Sequence, residues 1–582
     1  MTPLRSSFVG LLGTALAAFA VAAPQLAAAQ PAAPRRVTQE LVVSANPYAS
    51  DAGLRILREG GGAVDAAIAV QLVLTLVEPQ SSGVGGGAFM LFYGAPGKRA
   101  PAAIAAYEGR EPAPAAATPD MFMSNGRPES FGTVGVGGLA VGVPGALRML
   151  ELAHRDHGRL PWASLFAPAI EIAESGFEVS PRLFQLLSGF KRFARGEDFR
   201  RYFYEANGEP HPIGYVLKNP EYAAALRELA AKGAEPLYTG DLAAAIVAKV
   251  QSNNVRAGRI TAEDLAKYRA HATQPLCSAY RSWRVCGPQL PSSGGVTTQQ
   301  VLGMLGAFDV AKLRDEPAQA IHLFVEANRL AFADRSLYLG DPDFVRSPVA
   351  ELLAPAYLRD RAALIDPKKA LPNVVAGVPR PGLAWEFAPG TAAERPSTSH
   401  FSIADKFGDA VAMTTSVQGA FGSQLMVGGF ILNNELTDFE YAPEDGGKPV
   451  ANRIEPGKRP LSSMAPTMLL DEQGRIRLLV GSPGGTHIIG FVAQSVVGFV
   501  DWQRSAQQAV AAPHYLAESG AVELEEGTDV VAQRAALEAL GHTVALRNLN
   551  SGLHAIAIDY TRRGRVLSAG VDPRREGAAR GD

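Results

Sequence analysis

Two runs in which apolar and polar residues alternate, TSHFSIAD and AVAMTTS, flank the turn Lys406-Phe407-Gly408-Asp409 and predict a β-hairpin over residues 398–416. Counting back from that turn sets Ser416 opposite Thr398 or its immediate neighbour. Further strand-like runs follow at GGFILNN, PTMLLDE, RIRLLVGSP and HAIAIDY, and helical apolar spacing appears at IIGFVAQSVVGFV and VVAQRAALEALG. Near the other end, LVVSA reads as a strand and residues from about Ala52 as a helix stopped by Gly60-Gly61-Gly62. The next run, Ala63 to Val77, is apolar nearly all round, which predicts a helix buried on several sides. Between about Leu147 and Asp366 the amphipathic patterns SLFAPAIEIAESG, EYAAALRELAAKG and IHLFVEANRLAFADRSLYL make a helix-rich half. Six prolines among residues 367–396 then mark an exposed, cleavable loop, and the last third is mixed α and β.

The first residues change what kind of protein this is. Arg5, the apolar run Phe8–Ala23 and the small residues Ala27-Ala28-Ala29 have the order of a secretory leader, with cleavage after Ala29, and the apolar run is short of the ~20 residues of a membrane span. The exported chain would be periplasmic or secreted, without a membrane anchor once the leader is gone. Its 582 residues, 47% hydrophobic and 19% charged, suffice for a large core. With 55 basic against 57 acidic residues there is no field to attract nucleic acid or anionic lipid, so the expected ligand is small. Cys277 and Cys286 are the only cysteines, and the sequence leaves open whether they form a disulfide or stay as two thiols in strands.

Familiar catalytic patterns are absent. Gly135-Val-Gly137-Gly-Leu-Ala140 follows no apolar strand, and Ser82–Phe89 lacks the Lys-Ser/Thr of a phosphate loop, so its glycines read as close backbone packing beneath a site. No His-Glu-x-x-His or Gly-x-Ser-x-Gly occurs, and His154 with His157 reads as a solvated helix surface. A threonine at a chain terminus can serve instead, because its α-amine has a pKa near neutrality and can take the hydroxyl proton during attack. Thr398 could do so only after cleavage between Ser397 and Thr398; otherwise it is an ordinary strand-start threonine.

Segments along almost the whole mature chain resemble the γ-glutamyltransferases: GGGAVDAAIAV at 60–70, VGGGAFML at 84–91, GREPAP at 109–114, VGVPGA at 141–146, PSSGG at 291–295 and ADRSLYLGDPDFV at 333–345. After the loop come TSHFSIADKFGDAVAMTTS at 398–416, LNNELTDF at 432–439, GKRPLSSMAPT at 457–467 and GSPGG at 481–485. The resemblance implies an N-terminal-nucleophile hydrolase fold, an αββα sandwich of four layers built by a large chain (30–397) and a small chain (398–582) of one self-cleaved precursor. It implies Thr398 as nucleophile, with Ser416 beside it, and Gly484 and Gly485 as the backbone pair of the oxyanion hole. It implies Arg110, Ser462 and Ser463 as binders of the substrate carboxylate, and Asp438, Glu435 and Gln418 at its ammonium.

Two departures stand out: Gln418 where the family usually has asparagine, and Ser416 where threonine is usual. Segment 440–460 corresponds to a loop that covers the pocket in some members, but lacks the tyrosine expected at its tip. The implied reaction attacks the γ-glutamyl amide of glutathione or a similar compound and passes the acyl group to water or an amino acid, with no cofactor or metal. A cephalosporin-type acylase of the same fold is the nearest rival, and a non-catalytic γ-glutamyl-binding protein another. Asp438 is expected to argue against the acylase, since an acid aimed at an uncharged end would be left unpaired.

Overall fold

In the hairpin, Phe401, Ile403, Val411 and Met413 point into a core shared with helices, while Ala404, Ala410 and Ala412 point into a different core made of strand residues. Every residue of both strands is buried. The alternation in the sequence therefore marks no solvent face. It marks a face of small and polar side chains on which a second sheet lies. Burying each of the four large apolar side chains stabilises the hairpin's seat by roughly 1.5–3 kcal/mol.

The computed structural model describes residues 36–582 apart from 98–101, 253–254, 381–385 and 392–393. The leader and its cleavage after Ala29 lie outside the described residues. The sheet strands are β1 (Arg36–Val37), β2 (Leu41–Ser44), β3 (Gly87–Gly94), β4 (Ala103–Gly109), β5 (His271–Thr273), β6 (Leu276–Tyr280), β7 (Trp283–Gly287), β8 (Ser399–Ala404), β9 (Ala410–Ser416), β10 (Thr467–Leu470), β11 (Ile476–Gly481), β12 (His554–Thr561), β13 (Gly564–Val571) and β14 (Ala578–Gly581). One antiparallel sheet runs β14-β2-β8-β9-β3-β4-β5 and the other β1-β13-β12-β11-β10-β7-β6. Leu41, Val43 and Ala412 of the first meet Met468, Leu479 and Ile556 of the second.

Helices cover both outer faces. Against the first sheet pack α1 (Pro47–Arg58), α2 (Ala63–Val77), α3 (Ala146–His157), α4 (Ala167–Ser175) and α5 (Pro220–Lys232). Against the second pack α6 (Ser293–Leu305), α7 (Pro317–Tyr338) and α8 (Ile488–Val500). This is the four-layer αββα sandwich of the N-terminal-nucleophile hydrolases. All 15 residues of α2 are buried, as its all-round apolar pattern predicts. Helix α1 starts earlier than expected because the Asn46 side chain accepts from the Tyr48 amide and Pro47 takes the first helical position.

Two details hold the hairpin in place. Asp405 accepts the amides of Phe407 and Asp409 with one oxygen, closing the turn, and the Ala63 amide at the start of α2 with the other. Beneath its far end, a Cβ on Gly86 would lie 1.9 Å from the Ser416 carbonyl oxygen, so this glycine permits the close backbone approach read from the sequence. Cys277 and Cys286 are direct partners across β6 and β7 and form a disulfide, resolving the alternative left open. The solvated reading of His154 and His157 needs correction. His154 contacts the Leu160 carbonyl at 2.9 Å, and His157 contacts the Tyr107 hydroxyl and stacks on Phe92, because α3 turns that edge toward β3 and β4.

Candidate active site

Thr398 stands one residue before β8, and the register Ser399 to Thr415 sets Ser416 across from it. Their hydroxyl oxygens are 3.1 Å apart. Ser416 Oγ also accepts the Gln418 amide at 2.8 Å, so its position is fixed from the β9 side. Arg575 Nη1 donates to the Thr398 carbonyl at 3.2 Å, and Ser397 Oγ donates to the Gln80 carbonyl at 2.8 Å. The peptide bond between Ser397 and Thr398 is thus clamped on both sides. Thr398 has φ +81°, a conformation that costs a β-branched residue about 1–3 kcal/mol. Four of the seven described non-glycine residues with positive φ, Thr398, Gln418, Phe421 and Gln424, fall within 27 residues of sequence, so backbone strain is concentrated here.

Gly484 and Gly485 lie between β11 and α8, with φ +140° and +61°. The chain passes from them through one short turn into the N-terminus of α8, where amide hydrogens lack helical partners. A Cβ on Gly485 would sit 2.5 Å from the Glu394 carbonyl oxygen and 2.9 Å from the Arg395 carbonyl carbon. The segment just ahead of Thr398 therefore lies directly over Gly485.

Behind this segment is a buried charge cluster. Arg110, just past β4, is fully buried, and its guanidinium is committed: Nε to the Pro460 carbonyl, Nη1 to Glu435, Nη2 to Asp438 at 2.7 Å and to the Leu461 carbonyl at 2.9 Å. Glu111 lies 3.7 Å from Nη1. The other oxygen of Asp438 accepts from Gln418 Nε2 at 2.8 Å. Glu435 Oε2, Gln418 Oε1 and both oxygens of Glu111 are buried with no hydrogen-bond partner, a rare condition that calls for a cause. Burial pushes the Glu435 and Glu111 carboxyls up to about 8 and that of Asp438 to about 7, with neighbouring acids adding to the shift.

Ser462 and Ser463 follow on a loop that Arg459 ties down, pairing with Glu108 of β4 and with Asp341 after α7. The Ser462 amide donates to the Pro291 carbonyl, its carbonyl accepts from Ser293, and its Oγ accepts the Met464 amide at 3.2 Å. Ser463 points into the site, and its amide and hydroxyl both donate to the Glu394 carboxylate, at 2.9 and 2.8 Å. Arg335 of α7 donates to the same carboxylate at 2.8 Å. A cavity of about 20 Å³ remains between Glu394, Asp438 and Leu461, room for about one water. A groove of about 530 Å³ opens next to it along Arg335, Thr486 and Glu518. Segment 440–460 forms a small hairpin, Glu444–Asp445 against Lys448–Pro449, with an exposed tip.

The expected residues thus gather into linked groups: Thr398 with Ser416 and Gln418, Gln418 with Asp438, and Asp438 with Arg110 and Glu435. Glu111 and Arg335 went unassigned although both lie in motif segments, GREPAP and ADRSLYLGDPDFV. Glu394 and Arg575 carried no local signal. Contrary to expectation, Asp438 does not exclude an acylase: both its oxygens already have partners within the protein, Arg110 and Gln418, and an uncharged ligand would not leave it unpaired.

A family model described as Gamma-glutamyltranspeptidase matches residues 49–581. The chain belongs to the gamma-glutamyltranspeptidase family. It is 35% identical over 558 residues to the Glutathione hydrolase proenzyme of Bacillus subtilis (strain 168), covering 93% of this chain and 91% of that protein. It is equally 35% identical, over 536 residues, to the Acylase ACY 1 proenzyme of Pseudomonas sp. (strain SE83), with 90% and 91% covered. Among solved structures, cephalosporin acylase from Bacillus halodurans superposes with a TM-score of 0.83 at 25% identity, covering 96% of this chain and 98% of that one. Membership thus makes this gamma-glutamyltranspeptidase-family protein an enzyme of N-terminal-nucleophile hydrolase type, and the names of its relatives divide between glutathione hydrolases and acylases.

Proposed function

We propose that this chain is a self-processing γ-glutamyltransferase and glutathione hydrolase, cut between Ser397 and Thr398 into chains 30–397 and 398–582. In the first step Thr398 Oγ1 attacks the carbonyl carbon of Ser397, the C–N bond breaks to leave an ester on Oγ1 with the strained φ of Thr398 relieved, and water hydrolyses that ester, which separates the chains as a Ser397 carboxylate and a free Thr398 hydroxyl and α-amine. The freed α-amine then takes the Oγ1 proton while Oγ1 attacks the γ-carbonyl of the donor. The amides of Gly484 and Gly485 receive the negative charge on the carbonyl oxygen. The α-ammonium returns its proton to the leaving amine, leaving a γ-glutamyl ester on Thr398. Water or an amino acid attacks that ester by the same proton transfers in reverse, and no cofactor enters.

The observation that carries this reading is the set of unpartnered acceptors beside Asp438. Glu435 Oε2, Gln418 Oε1 and both oxygens of Glu111 lack a partner, and three carboxyls lie within ion-pair distance of the one guanidinium of Arg110. A ligand ammonium supplies the missing donors and charge. Ser462 and Ser463 take the carboxylate end. An acylase reading has one observation in its favour, the internal pairing of Asp438. Replacing Asp438→Asn, which keeps the shape and loses the charge, is expected to leave self-cleavage intact and to raise KM for γ-glutamyl-p-nitroanilide about 10- to 100-fold, the worth of one charge-assisted hydrogen bond. Hydrolysis of glutaryl-p-nitroanilide, the same acyl chain without the amine, is measured beside it. Faster turnover of the glutaryl compound by the wild type would transfer the assignment to the acylase.

The raised carboxyls also set a pH dependence. Glu435 and Asp438 are increasingly protonated below about 8 and about 7, and a neutral carboxyl cannot pair with an ammonium. KM for the γ-glutamyl donor is therefore expected to fall several-fold between pH 6 and pH 8.5, while the α-amine of Thr398 acts on kcat. A KM flat across that range would count against these acids as the ammonium site.

A further inference from the structure

Two arginines share a second cavity, of about 180 Å³, where the start of α7 meets the chain leaving α8. Helix α8 begins three residues after Gly485 and runs for 13 residues, so its far end lies about 20 Å from the oxyanion glycines and the cavity is separate from the site around Thr398. Arg504 lies over the Trp502 ring, 4.8 Å from its centroid, and the Trp502 indole N–H donates to the Val310 carbonyl at 3.0 Å. A Cβ on Gly498 would sit 3.4 Å from Cδ of Arg504, so the end of α8 supports the arginine stem. Arg314 enters from the turn Val310–Asp315 ahead of α7. Among the described residues neither guanidinium donates a hydrogen bond or pairs with a carboxylate. Burial holds the Arg504 guanidinium below its ordinary range and the nearby Arg314 adds to this, while Tyr515 and Asp529 pull the other way. Tyr515 stands edge-on to Phe324, and burial pushes its hydroxyl up to about 12, so it stays an O–H donor.

Two neighbouring guanidinium groups without a counter-ion repel each other, and an anion between them removes that cost. Asp529 on the wall offsets one of the two charges, so the cavity matches a single negative charge better than a double one. Its other walls are apolar, with Ile321, Pro513 and Val530 among them. An apolar cavity of about 150 Å³ is enough for a benzene ring, so one ring with one acidic group fits here. We propose that this cavity binds a small aromatic carboxylate, whose carboxyl group pairs with Arg314 and Arg504 and accepts the Tyr515 hydroxyl, and whose ring lies among Ile321, Pro513 and Val530. The site stands whichever acyl donor the enzyme uses. Pro317 opens α7 and Trp502 follows α8, so an occupant ties together the outer ends of two helices whose other ends reach Arg335 and Gly485.

The probes are benzoate, benzamide and inorganic phosphate, titrated by calorimetry into the purified wild type, Arg504→Met, the charge-keeping Arg504→Lys, and Arg314→Gln. Arg314 is exposed, so its replacement leaves folding intact. Benzoate is expected to bind the wild type at least about tenfold more tightly than benzamide, which has the ring without the charge, or phosphate, which has charge without a ring. Arg504→Met and Arg314→Gln should each weaken benzoate at least about fivefold, and Arg504→Lys should weaken it less than Arg504→Met. Benzoate should also raise the thermal midpoint of the wild type more than that of Arg314→Gln. No binding of benzoate, an affinity no better than that of benzamide, or an affinity unchanged in both Arg504→Met and Arg314→Gln would overturn the proposal. Phosphate binding as tightly as benzoate would overturn it too, since the ring would then contribute nothing.

Discussion

Thr398→Ala is expected to leave the chain in one piece and to lower γ-glutamyl-p-nitroanilide hydrolysis by about 10⁴- to 10⁶-fold, the loss typical of removing a catalytic nucleophile. One substitution stops both steps because the same hydroxyl oxygen cuts the chain and then forms the acyl ester. The substitution removes a hydroxyl and a methyl group at a position with φ +81°, which alanine tolerates better than a β-branched residue, so folding should survive. Ser416→Ala is the useful contrast. It removes the 3.1 Å partner of Thr398 Oγ1 and should slow cleavage without abolishing it. A Thr398→Ala chain that still splits at residue 397 would remove the threonine from the mechanism.

Arg110→Met is expected to cost about 3–5 kcal/mol of stability, because it leaves Glu435, Asp438 and Glu111 buried without their cation. Methionine fills much of the same volume, so the loss comes from charge and not from a void. The carboxyls would respond by holding protons to still higher pH. Thermal unfolding of the uncleavable chain reads the loss, and adding Glu435→Gln should recover part of it by removing one of the stranded charges. An unchanged thermal midpoint, with only a higher KM in the active protein, would instead describe an arginine free to meet substrate, as the family resemblance implies.

Much of the fold was legible because its signals are local. The hairpin of β8 and β9 is written in a period of two around an Asp405 turn, and its register alone brought Ser416 to Thr398. Helix α2 declared itself buried by having no polar face. The start of α1 was missed because it depends on one capping side chain, Asn46, at a position that also reads as a loop. The polar side of the hairpin gave no hint of a second sheet, since Ala404, Ala410 and Ala412 suit a close sheet contact as well as a solvent face.

The site divides along the same line. Motif glycines and the acids of LNNELTDF could be mapped one by one. What those side chains touch could not, because Arg110 meets Glu435 across 325 residues of chain and Arg335 meets Glu394 across 59. Such pairings follow from how the layers stack, and no spacing within a segment encodes them. The isolated Glu394, in a proline-rich loop, had no pattern at all.

Thr398 is expected to become the terminal residue of the small chain and to carry the acyl group. The most direct measurement is mass spectrometry of the purified wild type, mixed with a γ-glutamyl donor, quenched in acid and digested. The expected result is a small chain that begins Thr-Ser-His-Phe, with a mass gain of one γ-glutamyl group located on its first residue. A small chain with another first residue, or an acyl group found elsewhere, would contradict it.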